Sequence, residues 1–182
     1  MNIAIIGTGN VGGALATGWA KAGHTIHLGV QDVNQFKGKD LLNNPNTHVH
    51  SIVEAVAKSE VVLIATPPTA IFSIIEHIGD VSGKTLIDAT NSVRQAPDPY
   101  STVHHALVDK TMGQVVKCFN STGFENMLNP IYNGEGINMF MAGDSDAAKQ
   151  HVSKTLETPP SLYSDAAKST RIIAWGESPS LG

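Results

Sequence analysis

Short apolar runs alternate with longer amphipathic segments along this chain. Ile3–Ile6 is a β-branched run closed by Gly7, and it predicts a fully buried strand. Val11–Ala22 carries Leu15, Trp19 and several alanines at helical spacing, and Gly23-His24 ends the predicted helix. Ile26 and Leu28 mark a second strand, closed by Gly29. Asp32–Asn44 is polar and predicts a loop with a short helix. Val49 sits in a weak third strand, followed by a short helix over Ile52–Lys58. Val61–Ala65 is another buried strand, stopped by Thr66-Pro67-Pro68. In Thr69–Ile78, Ile71, Ile74, Ile75 and Ile78 share one helical face. Thr85–Asp88, Gln114–Phe119 and Asn138–Ala142 read as further strands, and Ser145–Leu156 as a helix with Ser145 as its cap.

Strands this short and this uniformly apolar are covered on both faces, which requires helices between them. The predicted fold is therefore α/β, a Rossmann-like doubly wound, mostly parallel sheet with helices on both faces. The pattern stops at Thr158-Pro159-Pro160, so residues 1–157 are expected to form one dinucleotide-binding domain and 158–182 an atypical C-terminal tail.

The turn after the first strand is Gly7-Thr8-Gly9-Asn10-Val11-Gly12. A G-x-G-x-x-G spacing is informative only where a strand leads in and a helix leads out, and here both are predicted. In that setting Gly7 permits the tight turn, Gly9 admits close approach of a pyrophosphate, and Gly12 lets helix and strand pack. The free N–H groups and positive helix end then face the phosphates. The Gly-Lys-Ser/Thr ending of a P-loop is absent. After the second strand comes Val30-Gln31-Asp32. Asp32 lies 20 residues beyond Gly12, the distance of an acid that binds the ribose 2′-OH of NAD, and no Lys or Arg appears before Lys37. Asp32 could equally cap the helix that follows.

Composition narrows the classes. Charged residues are 15% and apolar residues 41% of 182, with 17 glycines, which describes an ordered, compact protein. A net charge of −4 without a basic stripe argues against nucleic-acid binding. No apolar run reaches membrane-spanning length, and the N-terminus lacks the basic start and apolar stretch of a signal peptide, so the cytoplasm is the expected compartment. The single cysteine, Cys118, excludes an internal disulfide and is expected to be a buried structural thiol. The eight histidines show no metal-ligand spacing and are expected at the surface; no metal site is predicted. Asp144 and Asp146 flank Ser145 and are expected to help cap that helix.

Asn2–Gly12 with Trp19–His24, Val61–Pro67, Asp88-Ala89-Thr90-Asn91, Val116–Met127 and Phe140–Asp146 resemble the NADP oxidoreductase family that includes deazaflavin-dependent NADP reductases. The resemblance covers roughly residues 1–155, and Phe119–Met127 narrows it to the predicted dinucleotide-binding branch. The same domain resembles that of pyrroline-carboxylate reductases and of the STEAP metalloreductases. The resemblance implies that the backbone of Thr8, Asn10 and Val11 binds pyrophosphate. It implies that Ala65-Thr66-Pro67 lies along the cofactor path, and that Asn91 and Asn120 sit near the nicotinamide; turn formation is the competing role for both asparagines. It implies NADP as cofactor, a flavin- or deazaflavin-like or other small hydride acceptor, and a homodimer. Relatives place a basic group after the second strand where this chain has Val30-Gln31-Asp32, so NADP and NAD both stay open. The segment 158–182 does not resemble the family's C-terminal helices. An NAD(P)-dependent oxidoreductase is expected; a dinucleotide-binding sensor without turnover and an imine or carbonyl reductase are the alternatives. Hydride transfer needs positioning more than acid–base groups, so no catalytic residue is assigned.

Overall fold

The computed structural model describes residues 1–156 apart from 134 and 138, so the expected tail lies outside the described residues. Its strands and helices alternate over most of the chain. They are β1 (Asn2–Ile6), α1 (Asn10–Lys21), β2 (Thr25–Val30), β3 (Thr47–Ser51), α2 (Ile52–Ala57), β4 (Val61–Ile64), α3 (Ile71–His77), β5 (Thr85–Asp88), α4 (Val103–Lys110), β6 (Gln114–Cys118), α5 (Glu125–Leu128), the hairpin strands β7 (Ile131–Tyr132) and β8 (Glu135–Gly136), then β9 (Met141–Ala142) and α6 (Asp146–Leu156).

The main sheet runs β3-β2-β1-β4-β5-β6-β9. Every neighbouring pair is parallel except β6 with β9, where Lys117 faces Ala142 and Cys118 faces Met141. The chain winds outward from β1 in one direction to β3 and in the other to β6, which is the Rossmann arrangement. Its reversal lies between β1 and β4, the place where open α/β sheets bind ligands at the carboxyl ends of strands.

Side-chain alternation explains the unbroken apolar runs. Ile3 and Ile5 of β1 join Leu15 and Trp19 of α1 and Val152 of α6 in one core layer. Ala4 and Ile6 join Ile52 of α2, Ile71 and Ile74 of α3, and Leu107 of α4 in the other. A strand covered on both faces cannot alternate with polar residues, and each fully buried isoleucine contributes about 1.5–3 kcal/mol. Trp19 ties its layer together: its indole N–H donates to the Thr155 carbonyl at 3.0 Å, and its ring meets Phe119 edge-on at 5.8 Å.

Helix ends follow their capping residues. Ser145 accepts from the Ala148 N–H at 3.2 Å and so caps α6, as expected. Asp146 lies in the first turn of α6, where an anion was expected, and also pairs with Lys149 at 2.8 Å. Thr102 caps α4, accepting from His105 N–H.

Several expectations change. The last strand, read as Asn138–Ala142, is Met141–Ala142 and antiparallel; Asn138 itself lies outside the described residues. The helix read over Thr69–Ile78 opens as a 3-10 turn, Pro68–Ala70, before α3. The histidines are not all at the surface, since His24 and His27 are buried. His27 projects from β2 on the face opposite Ile26 and Leu28. Its Nε2–H donates to Asn2 Oδ1 (3.1 Å), so its Nδ1 accepts from the His50 Nε2–H (3.2 Å). No helix among the described residues is long and apolar enough to cross a membrane.

Candidate functional site

The three motif glycines answer to different constraints. Gly7 has φ +102°, and a Cβ there would lie 2.6 Å from the Ala65 carbonyl oxygen. At Gly12 a Cβ would fall 1.8 Å from the Gly7 carbonyl oxygen. Folding alone therefore demands both. Gly9 has ordinary extended geometry (φ −76°), and a Cβ there would meet nothing within 4 Å. Nothing within the fold requires glycine at that position; the space above it is open.

That space lies at the N-terminus of α1. Gly9 brings no side-chain cap and the first turn holds no acidic residue. The first-turn N–H groups thus lack intrahelical acceptors and sit at the positive end of a 12-residue helix. Asn10 is exposed and Val11 half-buried. Backbone donors, helix dipole and open approach together can hold an anionic group.

Hollows lie on either side of the turn. One, of about 330 Å³, runs from Thr8 past Gly29, Asp32 and Phe36 to Ile52 and Thr66, with Val30 and Gln31 also in its wall. The other, of about 370 Å³, lies between Thr8, Gly9 and Asn10, the segment Lys37–Leu41, and Phe124 of the loop before α5. Thr8 separates them, and its hydroxyl donates to the Lys37 carbonyl, latching the β2–β3 loop onto the turn. Gly29 is hemmed in by β1 and α2: a Cβ would lie 2.4 Å from Ile6 Cδ1 and 3.3 Å from Ala55 Cβ.

Ala65, Thr66 and Pro67 follow β4 directly. The close approach of Gly7 to Ala65 and Thr66 joins this loop to the Gly-rich turn. Thr66 Oγ1 is buried without a hydrogen-bond partner among the described residues. Ser92 Oγ, beyond β5, is in the same state. Buried hydroxyls left unpaired cost about 1–3 kcal/mol each, which a ligand or water recovers.

Asn91 and Asn120 stand beyond the carboxyl ends of adjacent strands, β5 and β6, Asn91 exposed and Asn120 half-buried. Neither lines the two hollows. Asp32, at the end of β2, accepts the Asn34 N–H at 2.8 Å and forms a local turn. No helix begins there, so the helix-cap alternative falls.

One network was not read from the sequence. Asp88 is fully buried at the end of β5 and accepts from Thr90 N–H (2.9 Å), Thr90 Oγ1 (2.7 Å) and Lys117 Nζ (3.0 Å). Lys117 also donates to the Thr90 carbonyl. This clamps the chain just before Asn91. The signal available was an aspartate and a lysine in otherwise apolar strands, but only strand register sets Asp88 opposite Lys117. Phe119 was also missed as a backbone feature: it adopts φ +62° between β6 and Asn120, unusual for a bulky residue. Cys118 is buried, and burial pushes its thiol up to about 12, an inert structural thiol as expected. Among the described residues, no group of three His, Cys, Asp or Glu is arranged to hold a metal.

Comparison with known proteins gives the following. The family described as NADP oxidoreductase, coenzyme F420-dependent, matches residues 2–92, half of the chain. A glycerol-3-phosphate dehydrogenase [NAD(P)+] of Thermoanaerobacter sp. (strain X514) is 35% identical over 98 residues, covering 48% of this chain and 30% of that protein. The chain thus spans under a third of the length of that relative. A solved structure from Arthrobacter sp. FB24, provisionally named an F420-dependent NADP reductase, superposes with a TM-score of 0.71 at 24% identity, over 85% of this chain and 78% of that one. A hypothetical protein from Sinorhizobium meliloti gives 0.72 at 20% identity, over 98% and 92%. At these identities the two structures share the fold.

Proposed function

This chain belongs to the coenzyme F420-dependent NADP oxidoreductase family, and from that premise we propose that it binds NADP or NAD along the Gly-rich turn and transfers hydride between the nicotinamide and a small acceptor of flavin or deazaflavin type. The observation that carries this reading is the open space over Gly9 at a helix N-terminus, flanked by glycines that the fold itself requires. In the proposal the N–H groups of Asn10, Val11 and Gly12 hold the pyrophosphate, with Gly7, Thr8 and Gly9 shaping the turn beneath it. Val30, Gln31 and Asp32 meet the adenosine ribose. Ala65, Thr66 and Pro67 line the path across the switch point, with Thr66 Oγ1 as a free hydrogen-bonding group. Asn91 and Asn120 flank the nicotinamide.

When bound, the nicotinamide supplies two electrons and a hydrogen at C4, and the acceptor takes any further proton it needs from water. The protein's part is positioning. The Asp88–Lys117–Thr90 clamp holds the start of the β5 loop, so that Asn91 is presented from a fixed backbone. A homodimer completes the proposal and rests on the family resemblance.

The test is oxidation of NADPH and NADH by the purified full chain with a flavin, a deazaflavin and a panel of carbonyl compounds. Turnover with a flavin-type acceptor supports the proposal. Dinucleotide binding without turnover on any acceptor contradicts the transfer step and favours a sensor. Turnover on carbonyls or imines alone moves the acceptor class. Size-exclusion with light scattering checks the dimer.

A further inference from the structure

The hollow beside β2 is acidic and neutral in its polar lining, although the family is named for NADP. Asp32 stands at the carboxyl end of β2 with an exposed side chain. One carboxylate oxygen takes the Asn34 N–H, and this bond fixes the side chain at the mouth of the hollow. Gln31, Gln35, Thr8 and Thr66 supply the rest of its polar lining, all uncharged, and no lysine or arginine lines it. The two lysines of the β2–β3 loop lie outside this lining. Lys39 donates to the Asn34 carbonyl. Lys37 lines the second hollow, together with Asp40, on the far side of Thr8.

From this we infer that the site selects NAD over NADP, with Asp32 as the specificity-determining residue. The inference rests on the dinucleotide reading above and deepens it. A ribose 2′-OH donates a hydrogen bond to the free carboxylate oxygen. A 2′-phosphate in the same place brings a dianion against Asp32, in a hollow that no lysine or arginine lines. The discrimination is therefore electrostatic, and it weakens as salt screens the two charges.

The experiment titrates the full chain with NADH and NADPH at low ionic strength, following nicotinamide fluorescence. NADH is expected to bind at least about tenfold more tightly, the ratio that a modest like-charge repulsion produces. Asp32→Asn keeps the side-chain oxygen that accepts from Asn34 while removing the charge. In this variant the ratio should fall towards unity, mainly through a gain for NADPH, and Gln31→Arg should push it further the same way. High salt should narrow the wild-type ratio and leave that of Asp32→Asn nearly fixed. Equal or tighter NADPH binding by the wild type overturns the selectivity and leaves dinucleotide binding standing. An Asp32→Asn ratio equal to wild type overturns the role of Asp32. Binding of neither cofactor overturns both readings.

Discussion

The two sides of the sheet build their ends of the cleft by different means. On the side of β1 and β2 the site is backbone: a turn of glycines, a helix N-terminus and the long β2–β3 loop latched by Thr8. On the side of β5 and β6 it is side chains: a buried carboxylate, a lysine and a threonine closing on one another beneath the strand-end loops. The first arrangement leaves no room for added atoms at Gly7 or Gly12. The second depends on two opposite charges meeting around a fully buried carboxylate. The difference shows that steric exclusion sets the shape of the Gly-rich turn, while electrostatic satisfaction sets the order of the other end.

Gly12→Ala breaks the first side most severely. Its new Cβ meets backbone, which cannot rotate away, so the cost should reach ~3 kcal/mol or more, at the upper end of overpacking effects. Thermal and urea unfolding measure it; a loss below about 1 kcal/mol would mean the turn is looser than described.

Lys117→Met tests the second side. It leaves Asp88 buried without its cation, and breaking such pairs costs about 3–5 kcal/mol; partial exposure of Lys117 sets the expectation near 3 kcal/mol. Adding Asp88→Asn should recover part of the loss, because the amide oxygen still accepts from Thr90. If the double variant is as unstable as the sum of the two single ones, the pair is not coupled.

The acid response sharpens the comparison at the β2–β3 edge. Burial, then the neighbouring His50, His48 and Lys58, lower the His27 pKa from 6.5 to about 4. The unfolded chain takes this proton near pH 6.5, whereas the folded one resists it until about pH 4. Stability is therefore full above pH 6.5 and falls as pH drops towards 4, by on the order of 2–3 kcal/mol. Urea unfolding across that range checks it, and His27→Gln should flatten the slope. An unchanged slope in the variant would assign the acid response to other groups.

These contrasts explain what was legible in the sequence. Gly7 and Gly12 could be read because a steric requirement leaves a residue type behind. Ile3–Ile6 and Val61–Ile64 could be read because burial on both faces forces an unbroken apolar run. For the strand read over Asn138–Ala142 only the place could be read, not its two-residue length or antiparallel direction, and the hairpin of β7 and β8 could not be read, since two-residue strands carry no period. Nor could α5, whose four residues form barely one turn. The Asp88–Lys117 pair depends on the register between β5 and β6, and the burial of His27 on which side of β2 it faces. Both are facts of tertiary packing.

The account turns on Gly9, the one motif glycine that the fold does not require. Gly9→Val should unfold within about 1 kcal/mol of the wild type, the cost of a poorer residue at the start of α1. Calorimetric titration with NADH and NADPH should then show binding by the wild type and none by Gly9→Val. A folded Gly9→Val that binds as tightly as the wild type would contradict a dinucleotide lying across this turn.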